Sequence, residues 1–180
     1  MLKSFRKEHF NKLILVAALG YFVDIYDLVL FGMERVASLR DILHDVYPNE
    51  AERNTHVDAI GASLLSYQMM GMLVGGIFWG ILGDKKGRLS VLFGSIVVYS
   101  LANIANGFVT DTFWYAVLRF VSGFGLAGEL GAGITLVSET MKKEERGLGT
   151  TIVASVGLFG AVIAGVTTIL LNNWRVSYFI

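Results

Sequence analysis

Five apolar segments, each long enough to cross a bilayer, constrain the fold of this chain more than any other feature. A helical crossing of the hydrocarbon core needs about 20 residues. The segments lie at Leu13–Phe31, Ala59–Leu82, Leu89–Phe108, Thr112–Val137 and Leu148–Leu171, and Val176–Ile180 has the composition of the start of a sixth. Period-two alternation is missing, which argues against strands. The sequence predicts an all-α, polytopic membrane protein embedded in the lipid bilayer, with five transmembrane helices and the start of a sixth.

The composition excludes several classes of function. The chain has 180 residues, of which 54% are hydrophobic and 17% charged, so a soluble domain could not hide its apolar surface. Its net charge of zero argues against nucleic acid as a partner. The absence of cysteine removes disulfides, thiolate catalysis and cysteine metal sites. No nucleophile–base pair, metal cluster or cofactor loop is recognisable, so we expect neither an enzyme nor a bound metal or cofactor.

The basic residues predict how the chain is oriented in the membrane. Ten of the fifteen lysines and arginines fall in the N-terminal tail and in the second-to-third and fourth-to-fifth connections, whereas four fall on the opposite side. Because basic residues accumulate on the cytoplasmic side, the N-terminus is predicted to be cytoplasmic. The first outer connection, Met33–Val57, has apolar residues at helical spacing among charges. It either extends the first helix outward or lies on the membrane surface.

Four charged residues lie inside the apolar segments, where charge is costly and usually functional. Asp24 and Asp27 share one helix face in the first segment, and Arg119 and Glu129 lie in the fourth. Ten residues of helix, about 15 Å, separate Arg119 from Glu129, so each needs a partner on another helix. Asp24 and Asp27 are the opposite charges available to Arg119. The four residues are predicted to line a substrate or proton pathway, and the alternative is a buried ion pair that only fixes helix register.

Glycines within the segments predict close helix packing. Gly75 and Gly80 lie in the second segment and Gly123 and Gly125 in the fourth, and small residues at such positions let helices approach closely. The stretch from Gly123 to Gly128 formally matches the GxGxxG dinucleotide-binding pattern. That pattern requires a preceding strand in a soluble βαβ unit, so we interpret it as a packing face instead.

The connection after the second segment resembles the signature loop of the major facilitator superfamily. Residues 80–88 read Gly-Ile-Leu-Gly-Asp-Lys-Lys-Gly-Arg, against a family pattern of Gly-x-Leu-(Ala/Gly)-Asp-(Arg/Lys)-x-Gly-Arg-(Arg/Lys). Leu89 departs from the last basic position. The run Arg119–Gly125 is similar to the family's fourth-helix motif.

Two further stretches resemble subgroups of the same family. Glu139 followed by Arg146-Gly147 resembles the inner-loop Glu…Arg-Gly of sugar and organic-acid porters. The run Val23–Asp27, together with Glu129, resembles metabolite/proton symporters. Those symporters commonly carry Glu-Trp-Tyr-Asp in the first helix, and here only the Tyr-Asp pair matches.

Inner-loop charges form a second candidate site. Asp84 and Arg88 come from one cytoplasmic connection, and Glu139 and Arg146 from another. Together they are predicted to form a conformational gate, a charge network that breaks and reforms as helices rock. The alternative is a set of surface ion pairs worth ~0–1 kcal/mol each.

The resemblance implies a function and an incomplete chain. Residues 1–180 would be an incomplete N-terminal six-helix half of a secondary transporter, with the substrate site between the halves and the C-terminal half missing. Such a protein would move a small polar metabolite (an organic acid, sugar or zwitterion) across the inner membrane by alternating access, coupled to protons, and this chain alone would be inactive. A drug/proton antiporter and a non-transporting, transporter-like membrane sensor stay open as alternatives.

Overall fold

In the computed structural model the chain is a bundle of five long helices followed by one short helical turn. They are α1 (Leu2–Ile42), α2 (Glu50–Lys86), α3 (Arg88–Asn106), α4 (Thr112–Thr140), α5 (Lys143–Leu171) and α6 (Trp174–Ser177). The structure describes the backbone of residues 2–140, 143–171 and 173–179, and the side chains of residues 14–129, 147–171 and 173–179. No strand occurs within those ranges, so the prediction of an all-α fold is confirmed.

Length and composition make the protein a multi-pass integral membrane protein. Four segments of the described residues are long and apolar enough to cross a membrane: Ile14–Ile42, Glu50–Lys86, Arg88–Asn106 and Gly147–Leu171. The fourth predicted span falls within α4, which has 29 residues but whose side chains are described only to Glu129. The predicted third span ends two residues beyond α3, because the chain turns at Gly107 and Phe108.

Both helices at the first outer connection extend beyond their apolar segments. The helix α1 runs past Phe31 to Ile42, so of the two expectations for this connection the structure shows the outward extension. Its buried Leu39 packs in a core cluster with Val57 at the start of α2. The side chain of Asn49 caps α2 by accepting the backbone N–H of Ala51 at 3.0 Å, which satisfies a donor that a helix start leaves unpaired.

A single glycine with a positive φ forms the tight turn between α2 and α3. Gly87 has φ = +89°, a conformation that other residues adopt only at a cost, and its N–H donates to the carbonyl of Gly83 at 2.9 Å. Only this one residue separates the two helices, so α3 turns back immediately after α2.

Glycines bring the backbones of α2 and α4 into direct contact. A Cβ added at Gly71 or Gly75 of α2 would overlap the backbone of α4, and one added at Gly123 would overlap the carbonyl of Gln68 on α2. The indole of Trp79 completes this interface by donating to the carbonyl of Phe124 at 2.7 Å. Close approach therefore comes from missing side chains on both helices.

Glycines on α4 also admit α3. A Cβ at Gly125 would lie 2.7 Å from the backbone nitrogen of Tyr99, and one at Gly128 would overlap Ser95. Gly80 differs from these, since a Cβ there would have no atom of the described residues within 4 Å.

We predict that Gly123→Ala destabilises the bundle by about 1–3 kcal/mol, because the new methyl group must displace a neighbouring helix backbone. Gly76→Ala is the matched control, since a Cβ at that position has no neighbour within 4 Å among the residues that the structure describes. Thermal unfolding of the purified chain in detergent measures both variants. Equal unfolding midpoints for the two would show that the α2–α4 contact does not depend on a bare backbone.

Candidate functional site

Three helices bring a carboxylate, an amide and a guanidinium together inside the bundle. Asp27 lies on α1, Asn103 on α3 and Arg119 on α4. The side chain of Arg119 is completely buried and that of Asp27 is 1% exposed. A charge removed from water in this way requires compensating partners nearby, because its hydration is lost.

The amide of Asn103 bridges the two charges. Its Nδ2 donates to Oδ1 of Asp27 at 2.8 Å, and its Oδ1 accepts from Nη2 of Arg119 at 2.7 Å. Asp27 and Arg119 face each other at a longer separation, with Oδ2 and Nη1 3.7 Å apart. The hydroxyl of Ser122 donates to the same amide oxygen at 3.2 Å.

Aromatic rings enclose the guanidinium of Arg119. Its Cζ lies 4.6 Å from the ring centroid of Phe31 and 5.1 Å from that of Tyr178. Such contacts stabilise a cation where water is excluded. Within the described part of the chain, Nε and Nη1 have no hydrogen-bond acceptor. The guanidinium thus keeps donor capacity that the site itself does not use.

A pair of acids, one on α1 and one on α4, lies about one helical turn away from Asp27. The side chain of Asp24 is buried, and Glu129 of α4 lies within hydrogen-bonding reach of it. Among the described residues no donor reaches either oxygen of Asp24. Two ionised carboxylates offer only acceptors, so a hydrogen bond between these two groups requires one of them to carry a proton. The arrangement is suited to holding a proton.

A chain of hydroxyl groups joins this region to Ser38 near the C-terminal end of α1. Tyr178, whose ring covers the guanidinium, shares a hydrogen bond of 2.9 Å with Tyr115, and Tyr115 shares one of 3.0 Å with Ser38. Beside it, Ser177 donates to the buried Glu34 at 2.9 Å. The short helix α6 therefore contributes directly to the surroundings of the buried charges.

Contacts with α1 and with the α3–α4 connection hold α6 in place. The guanidinium of Arg175 lies 3.1 Å from Oδ2 of Asp41 on α1 and donates to the carbonyl of Val109 at 2.7 Å. The indole of Trp174 donates to the same Asp41 oxygen at 3.2 Å. These contacts tie the start of α6 to α1 and to the α3–α4 connection.

A groove of about 550 Å³ lies beside the buried charges. Its walls come mainly from apolar residues of α1 and α3, while Ser177–Phe179 contribute at α6. Asp27, Asn103 and Glu129 line it. The groove thus places open space beside the carboxyl groups of Asp27 and Glu129.

The structure describes only two of the four residues predicted to form a conformational gate. Asp84 and Arg88 form an ion pair of 3.0 Å across the α2–α3 turn, with the side chain of Asp84 72% exposed. The side chains of Glu139 and Arg146 lie outside the described residues. Within the described residues, no three histidine, aspartate or glutamate side chains are grouped so that they could hold a metal ion.

The sequence identified the charged members of the site better than the polar ones. The structure brings Asp27 to Arg119 and Asp24 to Glu129, each across α1 and α4. It adds Asn103, an uncharged polar residue of the third predicted span. The contributions of Tyr178 and Ser122 had no signal beyond their polarity, because their contacts depend on how helices rotate.

Comparisons with known proteins agree with this architecture. Residues 14–180 match the family model of the Major Facilitator Superfamily. Over 170 residues the chain is 32% identical to "Probable inorganic phosphate transporter 1-12" of Oryza sativa subsp. japonica. This alignment covers 91% of this chain and 31% of the relative.

Two bacterial relatives are similar to a comparable degree. Identity is 32% over 174 residues to a "Putative metabolite transport protein" of Haemophilus influenzae, covering 91% of this chain and 38% of the relative. It is 31% over 120 residues to "Niacin transporter NiaP" of Acinetobacter baylyi, covering 65% and 27%. The chain spans roughly a third of the length of these curated relatives.

Proposed function

Because the chain belongs to the major facilitator superfamily, we propose that it forms the N-terminal half of a proton-coupled secondary transporter of a small polar metabolite. In this proposal a second helical half supplies the other wall of the substrate site, and alternating access moves the substrate across the inner membrane. The observation that carries the proposal is the buried cluster of Asp27, Asn103 and Arg119. Charges within a bilayer are costly, and they mark ion and substrate pathways.

We assign the substrate to small anions or zwitterions. The guanidinium of Arg119 keeps two N–H groups without an acceptor among the described residues, and arginine is suited to bidentate recognition of carboxylate and phosphate. Two similar proteins carry the names of inorganic phosphate and niacin transporters, and both inorganic phosphate and niacin are anions at neutral pH. The substrate would reach Arg119 when helices rearrange, since the side chain is fully buried in this structure.

The acids of α1 would carry the proton. Asp27 faces Arg119, and its proton uptake would weaken the ion pair and free the guanidinium. Asp24 and Glu129 form the adjacent pair, in which a hydrogen bond would require one of the two acids to carry a proton. Proton binding at the acids of α1 and anion binding at Arg119 would then affect each other.

We predict that Asp27→Asn, in the transporter that contains this chain, abolishes substrate uptake driven by a proton gradient but preserves some substrate exchange. The amide keeps the shape of the carboxylate and loses its titration. Uptake and counterflow in proteoliposomes measure the two activities separately. Asp58→Asn, an exposed acid at the outer end of α2, is the control and should leave both unchanged.

Each other outcome has a definite meaning. Gradient-driven uptake at the wild-type rate in Asp27→Asn would remove this residue as the proton site. Loss of folding in that variant would show that the ion pair serves structure alone. Wild-type protein that binds substrate without moving it would favour a sensor over a transporter.

The orientation is a further part of the proposal, with the N-terminus in the cytoplasm. Because the chain has no cysteine, single cysteines can be introduced without removing native ones. We predict that a cysteine replacing Glu50 reacts with an impermeant thiol reagent added outside cells, whereas one replacing Lys86 reacts only after the membrane is opened. The reverse pattern would overturn the orientation.

We also propose that the α2–α3 turn acts as part of a conformational gate. Asp84 is largely exposed and Arg88 is half-buried, and an ion pair at a protein surface is worth ~0–1 kcal/mol, so its removal should leave the fold intact. We predict that Asp84→Asn or Arg88→Ala slows turnover at least tenfold with substrate affinity within about threefold, because the pair biases conformational populations. Binding and uptake in the same proteoliposomes test this, and lost binding with unchanged conformational exchange would contradict it.

A further inference from the structure

Asn103 occupies the position nearest to the guanidinium of Arg119. The distance from its Oδ1 to Nη2 is 2.7 Å, whereas the nearest charged pair of Asp27 and Arg119 atoms is 3.7 Å apart. A direct hydrogen bond between guanidinium and carboxylate has a length of about 2.7–2.9 Å. The neutral amide therefore takes the contact that an opposite charge would otherwise make.

Chemistry fixes the orientation of this amide. An arginine has only donors and an ionised carboxylate only acceptors, so the bridging group must accept on one side and donate on the other. Asn103 does both, with its oxygen toward Arg119 and its nitrogen toward Asp27. A flipped amide would place donor against donor and acceptor against acceptor.

The amide is also held firmly from a third direction. Ser122, on the same helix as Arg119, donates to its oxygen at 3.2 Å. The helices α3 and α4 meet closely at Gly125, where an added Cβ would lie 2.7 Å from the backbone nitrogen of Tyr99. The bridge is thus built into the helix interface rather than formed by a loose surface side chain.

We propose that Asn103 is a positioning residue that separates Arg119 from Asp27 and so prevents a closed, direct ion pair. The inference rests on the proposed function, in which Asp27 must release its hold on Arg119 in every cycle. With the amide removed, the two charges close to direct contact and the transporter is locked. Other titratable groups also face this site. Asp24 lies on α1, Tyr99 on α3, Tyr115 and Glu129 on α4, and Tyr178 follows α6.

Asn103→Leu tests the proposal, with Asn106→Leu as its matched control. Asn106 is buried on the same helix, and within the described part of the chain its side chain donates only to the carbonyl of Ala102, at 3.0 Å. We expect the maximal exchange rate of Asn103→Leu to fall at least tenfold with KM within about threefold, and that of Asn106→Leu to stay within about twofold. Wild-type exchange in Asn103→Leu, or an equal loss in both variants, would overturn the proposal.

An exchange of the two side chains separates positioning from simple structural support. The double variant Asp27→Asn/Asn103→Asp keeps every hydrogen bond of the bridge, because position 103 still accepts and position 27 can donate. It places the carboxylate directly against Arg119. We expect this variant to fold and to exchange substrate at least tenfold more slowly than the single variant Asp27→Asn, whereas equal exchange rates in these two variants would show that the bridge is only structural. The near-identical shapes keep this test valid if Asn103→Leu fails to fold.

A stability measurement decides the same point without transport. The effects of Asp27→Asn and Arg119→Gln on the unfolding midpoint should be more strongly coupled in Asn103→Leu than in wild type, because the two charges then touch. Equal coupling in both backgrounds would overturn the separation of the charges. Should the wild-type protein fail to transport, the proposed function fails, while this coupling still tests the inference.

Discussion

The buried charge of Arg119 is the constraint on which the rest of the structure depends. A guanidinium does not lose its proton in a protein, so a bundle that buries it completely must supply compensation from other helices. The compensation comes from α1 as a carboxylate, from α3 as an amide and from Tyr178, just after α6, as an aromatic ring. The helices α1 and α3 and the end of α6 thereby meet around a single side chain of α4.

Such a cluster requires helices that approach unusually closely. The amide of Asn103 reaches both charges because α3 lies against α4 at Gly125, where a side chain on α4 would collide with Tyr99. On the opposite side, Gly123 allows α2 to rest on the α4 backbone. The glycines and the charges are therefore parts of one arrangement: small residues bring the polar groups within hydrogen-bonding distance, and those polar groups oppose separation of the helices.

The sequence predicted the charged partners and missed what lies between them. Apolar length was sufficient to locate the helices, and opposite charge gave Asp24 and Asp27 as the candidate partners of Arg119, of which the structure shows Asp27. Asn103 could not be assigned, because an asparagine within a span carries no sign of charge that points to a partner. Its role depends on the rotation of α3 about its axis. The outward extension of α1 also needed the structure, since the apolar pattern that predicts it is equally typical of a helix lying on the membrane surface.

The two acids of α1 lie in chemically different surroundings although only three residues separate them. Asp27 lies beside a cation and accepts from an amide donor. Asp24 lies beside another acid, and among the described residues no donor reaches it. One helix turn therefore presents an acid paired with a cation beside an acid paired with another acid. A movement of α1 relative to α4 would change both sets of contacts at once, which is the property that coupling between a proton and a substrate requires.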